Sequence, residues 1–459
     1  MSKSQGTRDF TVNSSSNVRD AMSLINENGI GIVFVISEGN IIGSLTDGDI
    51  RRYILSGGDI QLSVKGAMNE NPHLLSEKES DNIPRNIIPN FGNIMVPIID
   101  ENKKIIDIKV ISSAGESVSL KDNPSEFKET RSVNSVAIIG GAGYLGSVLS
   151  RLLLSQGYRV SVLDNLLYGS QGIDNLIENE NFIHINGSMD KISDIVKTIR
   201  DADAVVHLGA IVGDPASESD PSNTLSINLH STKIVADVCK FYNINRFIFA
   251  STCSVYGKSD GSQGITEEAP MNPVSLYART KIESEKILIS MTGKNFSPTI
   301  LRFSTLFGLS QRMRFDLVVN VLCAKAYFDN KITIFGGEQY RPMLSTHDAS
   351  RSIIACLKSP LKNVSGEVFN VGNSNLNYKI IEIGRAIKEK LPSAAIEITK
   401  DDVDTRDYNV NFDKIKRLTN FSTEVSLQEG IETIIEAFEK GNFKDYNNKV
   451  YSNYLSLSD

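Results

Sequence analysis

Tyr277 and Lys281 stand four residues apart in Ser275 to Met291, a stretch patterned as a helix, so both side chains fall on one face, one turn apart. A phenol titrates near 10 and is a poor base at neutral pH. An ammonium about 4 Å away contributes roughly 4 kcal/mol at an effective dielectric near 20, enough to lower that pKa by up to about three units. A phenolate poised near pH 7 can take a proton from a sugar hydroxyl while hydride leaves the carbon that bears it. A second constellation is Val136-Ala-Ile-Ile-Gly-Gly-Ala-Gly-Tyr-Leu-Gly146, with Gly140, Gly143 and Gly146 at three-residue spacing after a β-type run. An amphipathic segment, Ser147 to Gln156, follows at once. Strand, glycine turn and helix in that order suit a dinucleotide diphosphate, because glycines let the backbone approach it and the helix N-terminus offers free N–H groups. A second strand, Tyr158 to Leu163, ends in Asp164, placed where a carboxylate binds adenosine ribose hydroxyls. An acid there favours NAD, because it repels a 2′-phosphate. A third strand, Arg246 to Ala250, runs into Ser251-Thr-Cys-Ser-Val-Tyr-Gly257, which puts hydroxyls at a strand's carboxyl end, where ligands sit in open α/β sheets.

These groups need a scaffold, and the rest of the chain supplies one. Strand-like runs at Val136–Ile139, Tyr158–Leu163, Phe182–Ile185, Ala204–Leu208, Arg246–Ala250 and Ser297–Arg302 alternate with helical stretches. Alternation of this kind predicts an α/β fold, a doubly wound parallel sheet with helices on both faces. From about residue 303 onward the pattern becomes irregular, which suits a small C-terminal substrate lobe over the carboxyl ends of the strands. Before residue 118 the chain reads as a separate α+β module of two similar units. The first has helix Asn17 to Asn28, strands Gly31 to Ser37 and Ile41 to Leu45, and Thr46-Asp-Gly-Asp49 opening another helix. The second repeats the plan more loosely, with strands Ile94 to Ile99 and Ile105 to Ile111. The polar stretch 119–134 reads as a linker, so the expected domains are 1–118 and 135–459.

Composition excludes several classes. The 459 residues suit about two to four domains, and 40% hydrophobic with 22% charged is ordinary for a globular protein. A net charge of −7 without a Lys/Arg cluster argues against nucleic acid or an anionic membrane as partner. Met1-Ser-Lys-Ser-Gln-Gly has no apolar core for a signal peptide, and no run of about 18 apolar residues could span a bilayer. Cys239, Cys253, Cys323 and Cys356 lack Cys-x-x-Cys spacing and read as reduced thiols of a cytoplasmic protein. The five histidines form no ligand pattern, so no metal is expected, and His207 reads as a packed strand residue.

Taken in order, the glycine turn, Asp164, the strand-end hydroxyls and Tyr-x-x-x-Lys resemble the extended short-chain dehydrogenase/reductase family over about 135 to 440. Within it the likeness is to nucleotide-sugar epimerases of the UDP-glucose 4-epimerase type, which implies a Rossmann sheet, NAD as cofactor, a nucleotide-sugar substrate, and a homodimer or higher homo-oligomer. The resemblance carries over position by position. It gives the diphosphate turn to Gly140, Gly143 and Gly146, with Tyr144 and Leu145 between them, and the ribose contact to Asp164 and Asn165. Leu208, Gly209 and Ala210 match the loop bordering the cofactor, and Asn228 matches an asparagine that supports that loop. Thr252 aligns with the catalytic Ser/Thr, Tyr277 with the base and Lys281 with its partner. Arg341 matches an arginine that holds the sugar nucleotide's diphosphate, and Arg406 supplies the second, guanidinium–phosphate pairing being bidentate.

Departures narrow the reaction. Relatives carry Gly-Asp-Ile/Val at the adenine edge where this chain has Gly187-Ser-Met189, and asparagine on the sugar side where it has Thr305. The 4,6-dehydratases follow the catalytic threonine with Asp-Glu; Cys253-Ser254 here lacks that acid–base pair. Cys253 reads as a packed thiol. The implied reaction is epimerisation at carbon 4 through a transient 4-keto sugar, with Tyr277 as base and Thr252 on the oxygen. A keto-sugar reductase or dehydrogenase using the same residues is one alternative, and a non-catalytic nucleotide-sensing scaffold is the other.

Thr46-Asp-Gly-Asp49 is similar to the nucleotide site of cystathionine-β-synthase-type (CBS) domains, where the threonine contacts phosphate and the aspartate binds ribose. That resemblance implies an adenine or guanine nucleotide at Thr46 and Asp49. No acid stands at the equivalent point of the second unit, around Asp107 to Ser113, so one complete site is expected. A purely architectural module is the competing reading.

Overall fold

The computed structural model describes residues 10–457 apart from 29–30, 90–92, 113–114, 116, 120–131, 259–263, 401–403 and 405. Most of the expected linker, 120–131, therefore lies outside the described residues.

Seven parallel strands form the central sheet. In spatial order they are Phe182–Asn186, Arg159–Asp164, Ser135–Ile139, Ala204–His207, Arg246–Thr252, Ser297–Phe303 and Val368–Val371. The chain starts in the middle, winds outward one way, then returns and winds the other. The switch point lies between Ser135–Ile139 and Ala204–His207, and ligands bind outside the strand ends at such a point. Strand alternation sorts the core into two layers. Val136 and Ile138 face one side, with Leu145, Leu149 and Leu153 of the helix Tyr144–Ser155. Ala137 and Ile139 face the other, with Ile192, Ile195 and Ile199 of the helix Ile192–Ile199.

All six expected strands are present, and the seventh is one the pattern did not reveal. Val368–Val371 is only four residues long, but it pairs with Ser297–Phe303 and closes that edge. The helix Thr346–Lys358 packs against Tyr144–Ser155. Residues after 303 therefore do not form one continuous lobe; the chain leaves the sheet and comes back to it. The lobe proper gathers the helices Val318–Phe328, Ile380–Lys390 and Leu427–Glu439 around Phe307, Phe315 and Phe438. Among the described residues no helix is long and apolar enough to cross a membrane.

The N-terminal module is asymmetric. Its first unit has the strands Thr11–Asn13, Ile32–Ser37 and Asn40–Thr46 and the helices Val18–Asn28 and Asp47–Leu55. Its second unit keeps the strands Leu75–Ser76, Asn93–Ile99 and Ile105–Ser112, with Ser117–Ser119 added at the edge. Among the described residues from 57 to 119 no α-helix is present. A sheet without helices still has an apolar face to bury. Val110 joins the same core as Ile192, Ile195 and Ile199, and Ser117–Ser119 packs on the helix Ile192–Ile199. The larger domain's helix thus covers the face that the second unit leaves bare.

Thr46 and Asp49 occupy each other. Thr46 caps the helix Asp47–Leu55, accepting from the Asp49 amide at 3.2 Å. Asp49 Oδ2 accepts from the Thr46 amide at 2.9 Å and from its hydroxyl at 2.6 Å. This is a reciprocal capping box, a helix-start device with the same residue types and spacing as the nucleotide motif.

Candidate active site

A cleft of about 950 Å3 lies over the carboxyl ends of the strands, between the sheet and the lobe. Gly140 has φ +81°, and a Cβ there would stand 2.5 Å from the Gly209 Cα; at Gly146 it would stand 2.6 Å from the Gly141 Cα. Both positions require glycine for backbone contact. Gly143 differs: the nearest atom to an added Cβ is the Gly140 carbonyl oxygen, at 3.6 Å. It caps the helix Tyr144–Ser155 without a side-chain hydrogen bond, and it lines the cleft with Leu145 and Gly146. An uncapped helix N-terminus bordered by glycine fits a diphosphate.

Tyr144 performs a different task from the one its place in the turn implies. Its buried hydroxyl donates to the Gly308 carbonyl at 2.6 Å and accepts from Asn320 Nδ2 at 2.9 Å. Burial pushes the phenol above its usual value. The side chain joins the glycine turn to the lobe, which leaves only its backbone for a ligand.

Asp164 and Asn165 both line the cleft. Asp164 Oδ2 accepts from the Ala142 amide and Oδ1 from the Leu166 amide, each at 2.9 Å. Burial raises the carboxyl's pKa against those hydrogen bonds. The acid therefore braces the glycine turn as well as facing the ligand space. Gly187, Ser188 and Met189 stand beside it, joined by Asp190. Leu208, Gly209 and Ala210 continue the wall from the next strand. Behind them Asn228 sits in a π-helical turn, Ser226–His230. Its Oδ1 accepts from the Ile211 amide at 2.8 Å, and its Nδ2 donates to the Ile211 carbonyl at 3.0 Å and to Thr280 Oγ1 at 3.3 Å. It ties the cofactor-side loop to the helix that carries Tyr277. His207 is fully buried and touches Thr232, Phe247 and Phe249, as a packed strand residue should; burial pulls its pKa down to about 3.

Thr252, Tyr277 and Lys281 converge on the cleft from two elements. Thr252 ends the strand Arg246–Thr252, and Tyr277 and Lys281 lie in the helix Leu276–Ser290, capped by Ser275. The electrostatics differ from the simple pair expected. Lys281 Nζ donates to the Ala250 carbonyl at 2.8 Å and lies 4.5 Å from the Phe249 ring centroid and 5.8 Å from that of Tyr277. Burial pulls the lysine down to about 7, and Glu285, one turn further on, pulls it back up. Burial pushes the Tyr277 phenol up; Arg314 is the foremost group acting against that, and the Thr252 hydroxyl also lowers it through a hydrogen bond. Desolvation outweighs the lysine's expected effect, and the cation bearing on the phenol comes from a segment to which no role had been given.

Cys253 turns away. Its thiol donates to the Arg302 carbonyl, packs with Val255 and Tyr256, and is pushed up by burial. Beneath it the buried Arg302–Glu285 ion pair, at 2.7 Å, also engages Ser251, which anchors the end of the strand that carries Thr252.

Thr305, Arg341 and Arg406 line the opposite wall. The two guanidiniums are not free. Arg341 pairs with Asp404 at 2.8 Å, and Arg406 pairs with Asp404 and, at 3.1 Å, with Asp214. Burial would raise the Asp404 carboxyl, but the hydrogen bonds and charge of Arg406 and the charge of Arg341 hold it well below the usual carboxylate range. A diphosphate at this wall competes with Asp404. Sequence reasoning also missed Tyr168, Arg312, Arg314, Asn453 and Tyr454, all in the cleft. Two arginines just beyond a strand end, in Ser310-Gln-Arg-Met-Arg314, were the available signal.

His347, Asp348 and Glu424 form the one group among the described residues with the makings of a metal site. Asp348 already accepts from the Glu424 and Val425 amides and pairs with Arg351, which accounts for the cluster structurally.

Fold and cleft together define a Rossmann-type, dinucleotide-binding enzyme. The chain belongs to the NAD dependent epimerase/dehydratase family, which matches residues 136–372, and a CBS domain matches residues 6–56. NAD is the cofactor, and the glycine turn, the uncapped helix and Asp164 fit it. The chain is 29% identical over 273 residues to a UDP-glucose 4-epimerase of Lactobacillus helveticus, covering 55% of this chain and 81% of the relative. It is 26% identical over 373 residues to UDP-glucuronic acid decarboxylase 1 of Xenopus tropicalis, covering 76% and 85%. The solved UDP-glucuronic acid 4-epimerase of Bacillus cereus, in complex with UDP-glucuronic acid and NAD, is 26% identical over 67% of this chain and 99% of that one, with a TM-score of 0.59.

Proposed function

We propose that the protein is a nucleotide-sugar 4-epimerase. The observation that carries this reading is the meeting of Thr252 and Tyr277 in the cleft, with Cys253, the residue after the threonine, turned into the core. Dehydration at carbon 6 needs a further acid–base pair beside the threonine, and Cys253-Ser254 does not supply one.

NAD, when bound against the glycine turn and Asp164, supplies the acceptor and donor of hydride. The chain's own residues handle the proton. Tyr277 Oη takes the proton from the carbon-4 hydroxyl as that carbon is oxidised and returns it after the 4-keto sugar has turned. Thr252 Oγ1 holds the same oxygen through its change of charge. Lys281, tied to the Ala250 carbonyl and drawn toward its ammonium form by Glu285, supports the phenolate together with Arg314. Arg341, Arg406 and Thr305 receive the nucleotide-sugar, with Asp404 giving up the guanidiniums as the diphosphate arrives.

The test is an NMR screen of UDP-, GDP-, dTDP- and CDP-sugars with the purified protein. The expected result is a carbon-4 epimer without net NADH. Tyr277→Phe should keep fold and NAD binding and lower turnover by about 10² to 10⁴. Stoichiometric NADH release, or near-normal turnover in the variant, overturns the assignment.

A further inference from the structure

The segment Ser310-Gln-Arg-Met-Arg-Phe-Asp316 borders the cleft on the lobe side, and its two guanidiniums are treated differently. Arg314 is committed, donating from Nε and Nη2 to the two oxygens of Asp316 at 2.9 Å each. Arg312 is only 1% exposed, yet its Nε and Nη2 have no hydrogen-bond partner among the described residues. Its guanidinium carbon lies 4.4 Å from the Tyr168 ring centroid, and the buried Tyr168 hydroxyl is likewise without a partner among the described residues. Burial, then Arg314, pulls the guanidinium down to about 10. A buried cation with unmade hydrogen bonds is costly, and such groups call for a specific explanation.

The surroundings say what would complete it. Ser310, two residues earlier, donates to the Tyr144 carbonyl at 2.7 Å and bonds Ser147 Oγ at 2.8 Å. Those bonds pin the segment to the first turn of Tyr144–Ser155, whose N-terminus has no side-chain cap. Asp164, braced on the Ala142 amide of the glycine turn, lies within electrostatic reach of Arg312. Arg312 is thus held on the cofactor's side of the cleft, near the amides that face a diphosphate. A planar guanidinium already stacked on an aromatic ring is preorganised for two parallel bonds to phosphate oxygens.

We propose that Arg312, with the Tyr168 hydroxyl, forms the lobe-side half of the dinucleotide diphosphate site, opposite the glycine turn. The inference rests on the NAD reading above. It makes the bound diphosphate a bridge between sheet and lobe, so the cofactor helps to hold the two together.

The test is calorimetry of the full-length chain, stripped of cofactor, with NAD and with UDP as separate probes. Arg312→Met should weaken NAD binding by roughly 10- to 100-fold, as loss of hydrogen bonds to a charged group does, and leave UDP within about twofold. Arg312→Lys should recover only part of the loss, because an ammonium lacks the fork. Arg312→Met should also raise the Tm of the stripped protein, because an unpaired buried charge is gone; a residue serving only as a packing prop would lower it. Unchanged NAD affinity overturns the proposal. So does weakened UDP binding with NAD unaffected, which assigns Arg312 to the substrate's diphosphate. Failure of the wild-type chain to bind NAD removes the dinucleotide reading and this inference together.

Discussion

The Tyr144 hydroxyl and the Gly308 carbonyl, 164 residues apart in the chain, are joined by a 2.6 Å hydrogen bond. Asn320 donates to the same hydroxyl and, at 2.8 Å, to the Arg314 carbonyl. One side chain of the glycine turn therefore fastens the cofactor side of the cleft to the segment carrying Arg312 and Arg314.

Tyr144→Phe keeps the ring packing and removes the bridge, leaving the buried Gly308 carbonyl and one Asn320 donor without this partner. The expected cost is about 1–3 kcal/mol of stability, read as a shift of the urea midpoint at constant slope. An unchanged midpoint would mean that the bond adds nothing net.

The expectation for Asp164 is that it sets the preference for NAD over NADP. Asp164→Asn keeps an acceptor for one of the two backbone amides but removes the charge that opposes a 2′-phosphate. The NAD to NADP affinity ratio of the stripped variant should fall by about tenfold or more. An unchanged ratio would place adenosine discrimination elsewhere, with Ser188 and Asp190 the nearest candidates.

Lys281 predicts a pH dependence of stability. Its folded pKa is depressed from 10.5 to about 7 by burial. Between those values the unfolded chain holds a proton that the folded chain has released, so this group makes stability rise with pH across that window and disfavours folding most below it. Lys281→Met should remove that slope. Measured by chemical denaturation at pH 7, 8 and 9, the wild type should gain on the variant as pH rises. Parallel curves would show that the lysine stays charged when folded.

How much of this could be read beforehand differed by residue. The glycine turn, Asp164 and Tyr277–Lys281 were legible because each depends on spacing within one or two adjacent elements, and the six expected strands because apolar runs mark buried parallel strands. Val368–Val371 did not stand out because Asn370 interrupts its short apolar run. The Arg314–Tyr277 relationship was invisible because the two residues come from separate elements and are brought together only by tertiary packing. The competition of Asp404 for Arg341 and Arg406 was hidden for the same reason. The second N-terminal unit shows strands and no α-helix among its described residues, and another domain's helix covers its face, something no local pattern encodes.

Thr46 and Asp49 are the case where one spacing serves two devices. A capping box explains both side chains, with Arg52 adding a 2.5 Å pair to Asp49 Oδ1. A nucleotide that used the threonine hydroxyl for phosphate and the carboxylate for ribose would have to open that box. The expectation from the geometry is therefore a stability effect. In the full-length chain, Asp49→Ala should cost the module about 0.5–2 kcal/mol, the usual worth of helix-capping contacts. Millimolar AMP, ATP or GTP should leave the wild-type Tm unchanged. A nucleotide-dependent rise in Tm that Asp49→Ala abolishes would reverse this conclusion and restore a regulatory site at Thr46 and Asp49.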